Sequence, residues 1–182
     1  MSEQRRWYGE PETFIAVAAL VVSLSAVIVG IYEASLQRAH DRADVWPHVE
    51  MSTFTSANGA SVSLSNHGIG PAIIKTISVT VDGRPYRNWT GVVQALLSRP
   101  VTNVSSRTVL DEGIRAGDRV ELLTLLPAQM PDDFWTTIGR IALTVCYSSV
   151  FGQSWEVTGH LGTRNTWRAV DACPAEAPGA DF

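Results

Sequence analysis

The pattern of hydrophobic and polar positions divides the chain into a long apolar segment and a region of short alternating stretches. Residues 14–32 carry no charged side chain. At a rise of about 1.5 Å per residue, a helix of this length spans about 30 Å, the thickness of a bilayer's hydrocarbon core. Trp7, Tyr8 and Tyr32 flank the segment, where interfacial aromatic residues are expected. The pattern predicts one transmembrane helix over 14–32, preceded by an N-terminal segment, 1–13.

A cleavable signal peptide is the main alternative for this segment. The apolar part of a signal peptide is usually about 7–15 residues long and ends at small residues near the cleavage site. Here the apolar stretch is longer, and Ile31 and Glu33 are poorly suited to such a site. We therefore expect the segment to remain attached as a membrane anchor.

The residues after the apolar segment predict a helical stalk. Residues 33–47 contain helix-forming side chains, and Pro47 disfavours helical geometry at the residue before it. His40 and Asp44 lie four positions apart, a spacing that can place two metal ligands on one helix face. Two ligands do not make a metal site, and we expect none in the stalk.

Small side chains share one face of the apolar segment. Ala19, Ser23, Ala26 and Gly30 follow one another at intervals of four, three and four. Such a face allows two helix backbones to approach closely, so a homo-oligomer formed through the transmembrane helix is one hypothesis. Because these residue types are common in membrane helices, chance placement is the alternative.

Short alternating stretches predict a β domain over residues 48–171. In residues 72–81, Ile77, Val79 and Val81 fall on one side, and the following Asp-Gly pair is a strong hairpin signal. Several short strands separated by turns favour a single antiparallel β-sandwich. The predicted strands are 48–54, 61–66, 72–81, 84–87, 119–125, 140–147 and 154–158, and the predicted short helices are 89–97 and 132–138. Residues 172–182 predict a flexible tail unless Cys173 pins it.

Two segments resemble known bacterial proteins. The run from Asn66 to Ile74, leading into Val79–Gly83, resembles a strand–turn–strand pattern of immunoglobulin-like bacterial domains. The run from Cys146 to Trp155 is similar to a hairpin found in many uncharacterised single-pass bacterial membrane proteins. The resemblance implies an immunoglobulin-like β-sandwich behind a membrane anchor. It implies no activity, since such folds host many functions.

Charge and cysteine content bear on partners and location. The formal net charge is −4 with no basic stripe, so we expect no nucleic-acid partner. Arg5 and Arg6 precede the apolar segment, and the slight bias of basic residues favours a cytoplasmic N-terminus. Cys146 and Cys173 predict a disulfide if the domain is exported. This favours the bacterial inner membrane with a periplasmic or extracellular domain; two unrelated thiols in a cytoplasmic domain are the alternative.

Candidate chemistry is sparse. Gly68 and Gly70 lie in a glycine-rich turn that lacks the lysine and following helix of a phosphate loop, so we expect them to serve the turn's backbone conformation. His67 could pair with a serine, and such a pair can support acyl transfer, but the sequence contains no nucleophile-elbow motif. We predict no catalytic, cofactor or metal site.

The expected function is a membrane-anchored module that binds or scaffolds another membrane or envelope protein. The alternative is a hydrolase or small-ligand sensor whose site is assembled from residues distant in sequence.

Overall fold

The computed structural model describes residues 11–43, 45–101 and 104–182, with the side chains of residues 39–43 excluded. The chain forms two compact units, Met1–Ala43 and Asp44–Phe182. Several residues used in the sequence analysis lie outside the described part: Arg5, Arg6, Trp7, Tyr8, Asp44 and the side chain of His40.

The first unit contains one continuous helix, α1 (Pro11–Ala43). Its part from Pro11 to Arg38 is long and apolar enough to cross a membrane. Ser23 Oγ donates a hydrogen bond to the carbonyl oxygen of Ala19, 2.8 Å away. Because that bond stays within the helix, the Ser23 hydroxyl can be accommodated in apolar surroundings without a second chain. The small-residue face defined by Ala19, Ser23, Ala26 and Gly30 is exposed along the helix.

The second unit is a sandwich of two antiparallel sheets. Its strands are β1 (Val49–Ser56), β2 (Gly59–Asn66), β3 (Ala72–Val81), β4 (Arg84–Tyr86), β5 (Ser105–Ser106), β6 (Gly113–Ile114), β7 (Arg119–Leu125), β8 (Ile141–Ser148), β9 (Ser154–His160) and β10 (Thr166–Val170). The first sheet has the order β1-β2-β7-β5. The second has the order β10-β9-β8-β3-β4, and β6 also pairs with β3. The mainly β fold class predicted from the sequence is confirmed, and β10 and the two-residue strands are additions to it.

A bulge in β3 shifts the alternation of its side chains. Apolar side chains before and after the bulge therefore both face the core. The pairing of β3 with β8 shifts between Ile74 and Thr76. Lys75, at the shift, is exposed, whereas Ile74 before it and Ile77 and Val79 after it are buried. Strict alternation would place Ile74 and Ile77 on opposite faces, so the extra residue is what lets both pack inward.

Helix α2 (Trp89–Leu97) lies between β4 and β5 in the chain and packs against β3 and β4. The Asn88 side chain caps it by accepting a hydrogen bond from the Gly91 amide at 2.8 Å. Helix α3 (Phe134–Ile138) begins two residues later than the predicted helix 132–138. The α2 side chains buried in the core are Trp89, Val92, Val93 and Leu96.

A disulfide joins Cys146 of β8 to Cys173, which follows β10, with their Cα atoms 5.6 Å apart. Cys146 is buried beneath the sheet surface, whereas Cys173 is partly exposed. A bridge that closes a loop of this length stabilises a domain by about 3 kcal/mol, chiefly by restricting the unfolded chain. The bond also fixes where the chain leaves β10.

Phe182 is docked on the sandwich, within the segment 172–182 for which the sequence predicted a flexible tail unless Cys173 pins it. Phe182 is almost fully buried and meets the Trp89 ring edge-on, with ring centroids 5.5 Å apart. The Asp181 amide donates to the carbonyl oxygen of Arg87 at 2.7 Å. Burial of one large aromatic side chain outweighs the tendency of a segment rich in proline, glycine and alanine to remain disordered.

We predict that Phe182→Ala lowers the free energy of unfolding by about 2–4 kcal/mol, because it empties a filled position beside Trp89. Urea denaturation of the full chain in detergent micelles measures this value. Phe151→Ala is the matched control: Phe151 is 48% exposed, so its loss should change stability by less than about 0.5 kcal/mol. Equal effects of the two substitutions would contradict the docking of Phe182.

Candidate functional site

One end of the sandwich gathers the turns that the sequence analysis singled out. The strands β1, β3 and β9 begin there, and β2, β8 and β10 end there. We call this end, where the chain enters the domain at Val45, the entry end. The paired residues found at this end of the strands are Val49 with Asn66, Ile73 with Ser148, and Ser154 with both Ser148 and Val170.

The buried side chain of Asn66 organises the entry end. Its Oδ1 accepts hydrogen bonds from the amides of His48 at 3.1 Å and Gly68 at 3.0 Å. Its Nδ2 donates to the carbonyl oxygens of Gly70 at 2.8 Å and Ile114 at 2.9 Å. Both functions of the carboxamide are therefore satisfied although Asn66 is fully buried. The four bonds tie the entering chain, the turn after β2 and β6 to a single side chain.

The two glycines of this turn are required by close approach rather than by unusual backbone angles. Neither Gly68 nor Gly70 has a positive φ, contrary to the expected conformational role. A Cβ atom on Gly70 would lie 2.7 Å from Val45 Cα, and one on Gly68 would lie 2.6 Å from Pro47 Cα. No real Cβ atom tolerates such distances to backbone, so the turn packs directly on the incoming chain.

Three rings form an aromatic cluster beside the incoming chain. The His48 ring lies between Trp46 and Trp167, with centroids 5.2 Å and 4.7 Å away. Trp167 Nε1 donates to the carbonyl oxygen of Val49 at 2.7 Å, which orients the indole. Trp46 remains 45% exposed. Of the six tryptophans, Trp46 is thus one that offers a large, oriented surface to solvent.

Side chains of the second sheet cap the outer edge of β1 at this end. The Tyr147 hydroxyl accepts a hydrogen bond from the Val49 amide at 3.4 Å, and Asn165 Nδ2 donates to the Met51 carbonyl oxygen at 2.9 Å. Burial raises the pKa of Tyr147, and the Val49 amide opposes that rise more weakly. Capping of edge carbonyls and amides discourages strand pairing with another chain. A partner of the entry end is therefore expected to meet side chains rather than the β1 backbone there.

Apolar side chains are exposed at the tips of the entry-end turns. Ile69 is 67% exposed in the turn after β2, and Val150 and Phe151 are 54% and 48% exposed in the hairpin between β8 and β9. With Trp46 they make up four of the seven large apolar side chains this exposed among the described residues of the second unit. The others are Phe54, Leu126 and Trp135. We call Trp46, Ile69, Val150 and Phe151 the apolar tips.

Several ionisable groups are engaged in surface pairs. His67 Nε2 lies 3.4 Å from Glu50 Oε2, so it faces a carboxylate rather than a serine. Lys75 Nζ lies 2.7 Å from Asp111 Oδ1. Within residues 11–43, 45–101 and 104–182, no group of three metal-ligating side chains comes together. The small-residue face lies in the first unit.

Comparisons with protein-family models, with curated proteins and with solved structures give no match to this chain.

We predict that Asn66→Ala lowers the free energy of unfolding by about 3 kcal/mol, because it leaves buried amides and carbonyls without partners. Chemical denaturation of the full chain measures the loss. Asn58→Ala, in the exposed turn between β1 and β2, is the control and should have little effect. A loss below about 1 kcal/mol for Asn66→Ala would contradict its organising role.

Proposed function

We propose that this chain is a single-pass protein of the bacterial inner membrane whose immunoglobulin-like β-sandwich is exported and binds another membrane or envelope protein. The observation that carries the binding function is that four of the seven exposed large apolar side chains in the described part of the second unit lie at one end of the domain. Exposed apolar surface of this kind is typical of interaction sites.

Two observations support the location. Helix α1 combines a long apolar stretch with the length needed to cross a bilayer. The disulfide between Cys146 and Cys173 is a bond that persists in oxidising compartments and is rare in the cytosol. Together they favour α1 as an uncleaved signal anchor, with the sandwich on the periplasmic or extracellular side.

The apolar tips are held in place before any partner binds. Ile69 lies in the turn that Asn66 fixes. The hairpin that carries Val150 and Phe151 is closed by hydrogen bonds from the Ser149 amide to the Gln153 carbonyl at 2.8 Å and from the Gly152 amide to the Ser149 carbonyl at 3.0 Å. Because these turns are ordered in advance, binding loses less conformational entropy. Trp46 and Phe151 are the aromatic anchors that such an interface favours.

A hydrolase has less support. Glu50 could orient His67 as a base, but no serine, threonine or cysteine side chain of the described residues donates a hydrogen bond to a histidine ring. Among the described residues, the groups whose pKa is displaced are the exposed Asp82, Arg140 and Arg168, together with Tyr147, whose hydroxyl is bonded to the Val49 amide. None of these pairs an activated nucleophile with a base.

The location is tested by thiol labelling of intact cells with a membrane-impermeant maleimide, with and without prior reduction. We expect the label on Cys173 only after reduction, because the bond blocks both thiols and Cys146 is buried. The Cys146→Ser, Cys173→Ser double variant is the control for background. Labelling that appears only when the membrane is permeabilised would show a cytoplasmic domain and contradict the proposal.

Partner binding is tested by a photo-crosslinking amino acid placed at Ile69 or Phe151 in cell membranes. We expect a discrete crosslinked protein from these positions and none from Phe54, which is 60% exposed and lies away from the entry end. The double variant Ile69→Ser, Phe151→Ser should abolish the product formed from a probe at Trp46, because exposed apolar contacts at an interface are lost while folding is unaffected.

Other occupants of the apolar tips give distinct products. A crosslink between two differently tagged copies would identify self-association, and a crosslink to lipid would identify the membrane surface. Either result, in place of a second protein, would contradict the proposed function.

A further inference from the structure

A cleft at the opposite end of the sandwich carries an inference that is independent of partner binding at the entry end. The turn between β3 and β4, the residue before β8 and one side of α2 surround an open cleft of about 420 Å³. The residues that line it are Val81, Asp82, Arg84, Tyr86, Ala95 and Arg140.

The hairpin turn sets the positions of the charged groups. Asp82 and Gly83 have φ values of 50° and 77°, as a two-residue turn of type I′ requires. The Asp82 amide donates to the carbonyl oxygen of Arg140 at 3.2 Å. Since β3 pairs with both β4 and β8, this turn brings Arg84 and Arg140 to the same rim although they lie far apart in the sequence.

Arg140 is oriented by Asp82. Its Nε lies 3.1 Å from each carboxylate oxygen of Asp82, and its Nη2 also donates to that carboxylate. The bond from Arg140 holds the pKa of Asp82 below its ordinary value, with a further attraction from Arg84. Asp82 is therefore ionised at neutral pH. It neutralises one of two guanidinium groups, so one positive charge remains at the cleft.

The second guanidinium is available to a ligand. Arg84 is exposed, and within the described residues it makes no ion pair or side-chain hydrogen bond. Ala95 and Tyr86 also line the cleft, and the small side chain of Ala95 takes up little of its volume. Planar arginine side chains match the oxygens of phosphate groups through paired hydrogen bonds.

We propose that the cleft between Arg84 and Arg140 binds a phosphate group, with Arg84 as the principal contact and Asp82 holding Arg140 in a fixed orientation beside it. The group is supplied by a soluble phosphate compound or by the headgroup of a phospholipid. Because the site is open to water, the affinity is modest and depends on salt.

The test is a titration of the full chain in neutral detergent micelles with inorganic phosphate, followed by NMR of the arginine Nε–H groups. Chloride keeps the ionic strength constant. We expect saturable shifts confined to Arg84 and Arg140. Arg84→Gln should weaken binding about tenfold, because it removes the charge-assisted contact. Arg164→Gln, which removes the same charge from an exposed turn elsewhere, should not weaken it.

Ala95→Met fills the cleft without changing charge, and it should also reduce binding by obstructing access. Shifts that do not saturate, or that occur equally in the Arg84→Gln and Arg164→Gln variants, would overturn the proposal and indicate non-specific ion effects.

The same shifts in nanodiscs of anionic phospholipid without added phosphate, but not in zwitterionic nanodiscs, would identify a lipid headgroup as the source. Saturable binding of inorganic phosphate without that response would identify a soluble phosphate. Failure of this titration leaves the crosslinking at the apolar tips unaffected, so the two proposals are separable.

Discussion

The carboxamide of Asn66 is the interaction on which the arrangement of the entry end depends. A single buried amide can accept on one side and donate on the other, and here it does both twice. It connects the chain that enters the domain, the turn that passes from the first sheet to the second, and the short strand β6. An apolar residue would leave those backbone groups unpaired, and an aspartate would place a carboxylate against two carbonyl oxygens. This position therefore requires the hydrogen-bond donors and acceptor of asparagine rather than a side chain of a particular size.

The two sheets are joined by similar means along their neighbouring edges. Tyr147 and Trp167 of the second sheet, and Asn165 just before β10, satisfy backbone groups of β1 in the first. Polar side chains thus replace the strand that would otherwise continue the sheet. The interior stays apolar because the bulge at Lys75 corrects the phase of β3. Polar contacts determine how the sandwich closes, and apolar packing supplies most of its stability.

Alternation predicted most strands because a half-buried strand must place every second side chain in the core. The pattern of β10 is weaker: it is an edge strand of five residues, and its one large aromatic, Trp167, is partly exposed. The docking of Phe182 depends on Trp89, far away in the sequence. The pairing of Asp82 with Arg140 spans 58 residues. A local sequence pattern therefore could not predict either contact. The glycine-rich turn was recognised, but the close approach that explains Gly68 and Gly70 involves Val45 and Pro47, which lie some twenty residues earlier. The apolar tips had a weak signal, namely isoleucine, valine and phenylalanine inside turns that otherwise favour small and polar residues.

The packing of the turn against the entering chain has a mechanical consequence. Tension on the first unit is transmitted through the backbone to Val45 and then to Trp46, whose carbonyl oxygen accepts a hydrogen bond from the Ile69 amide at 3.0 Å. The load therefore reaches the turn and the Asn66 carboxamide before it reaches the ladder between β1 and β2. With the bond from the His67 amide to the His48 carbonyl oxygen at 2.7 Å, this contact extends the pairing of β1 with β2 beyond Val49, so the turn holds the start of the edge strand. A pull on the backbone at Val45 must therefore separate the entering chain from the turn before it can open the edge strand.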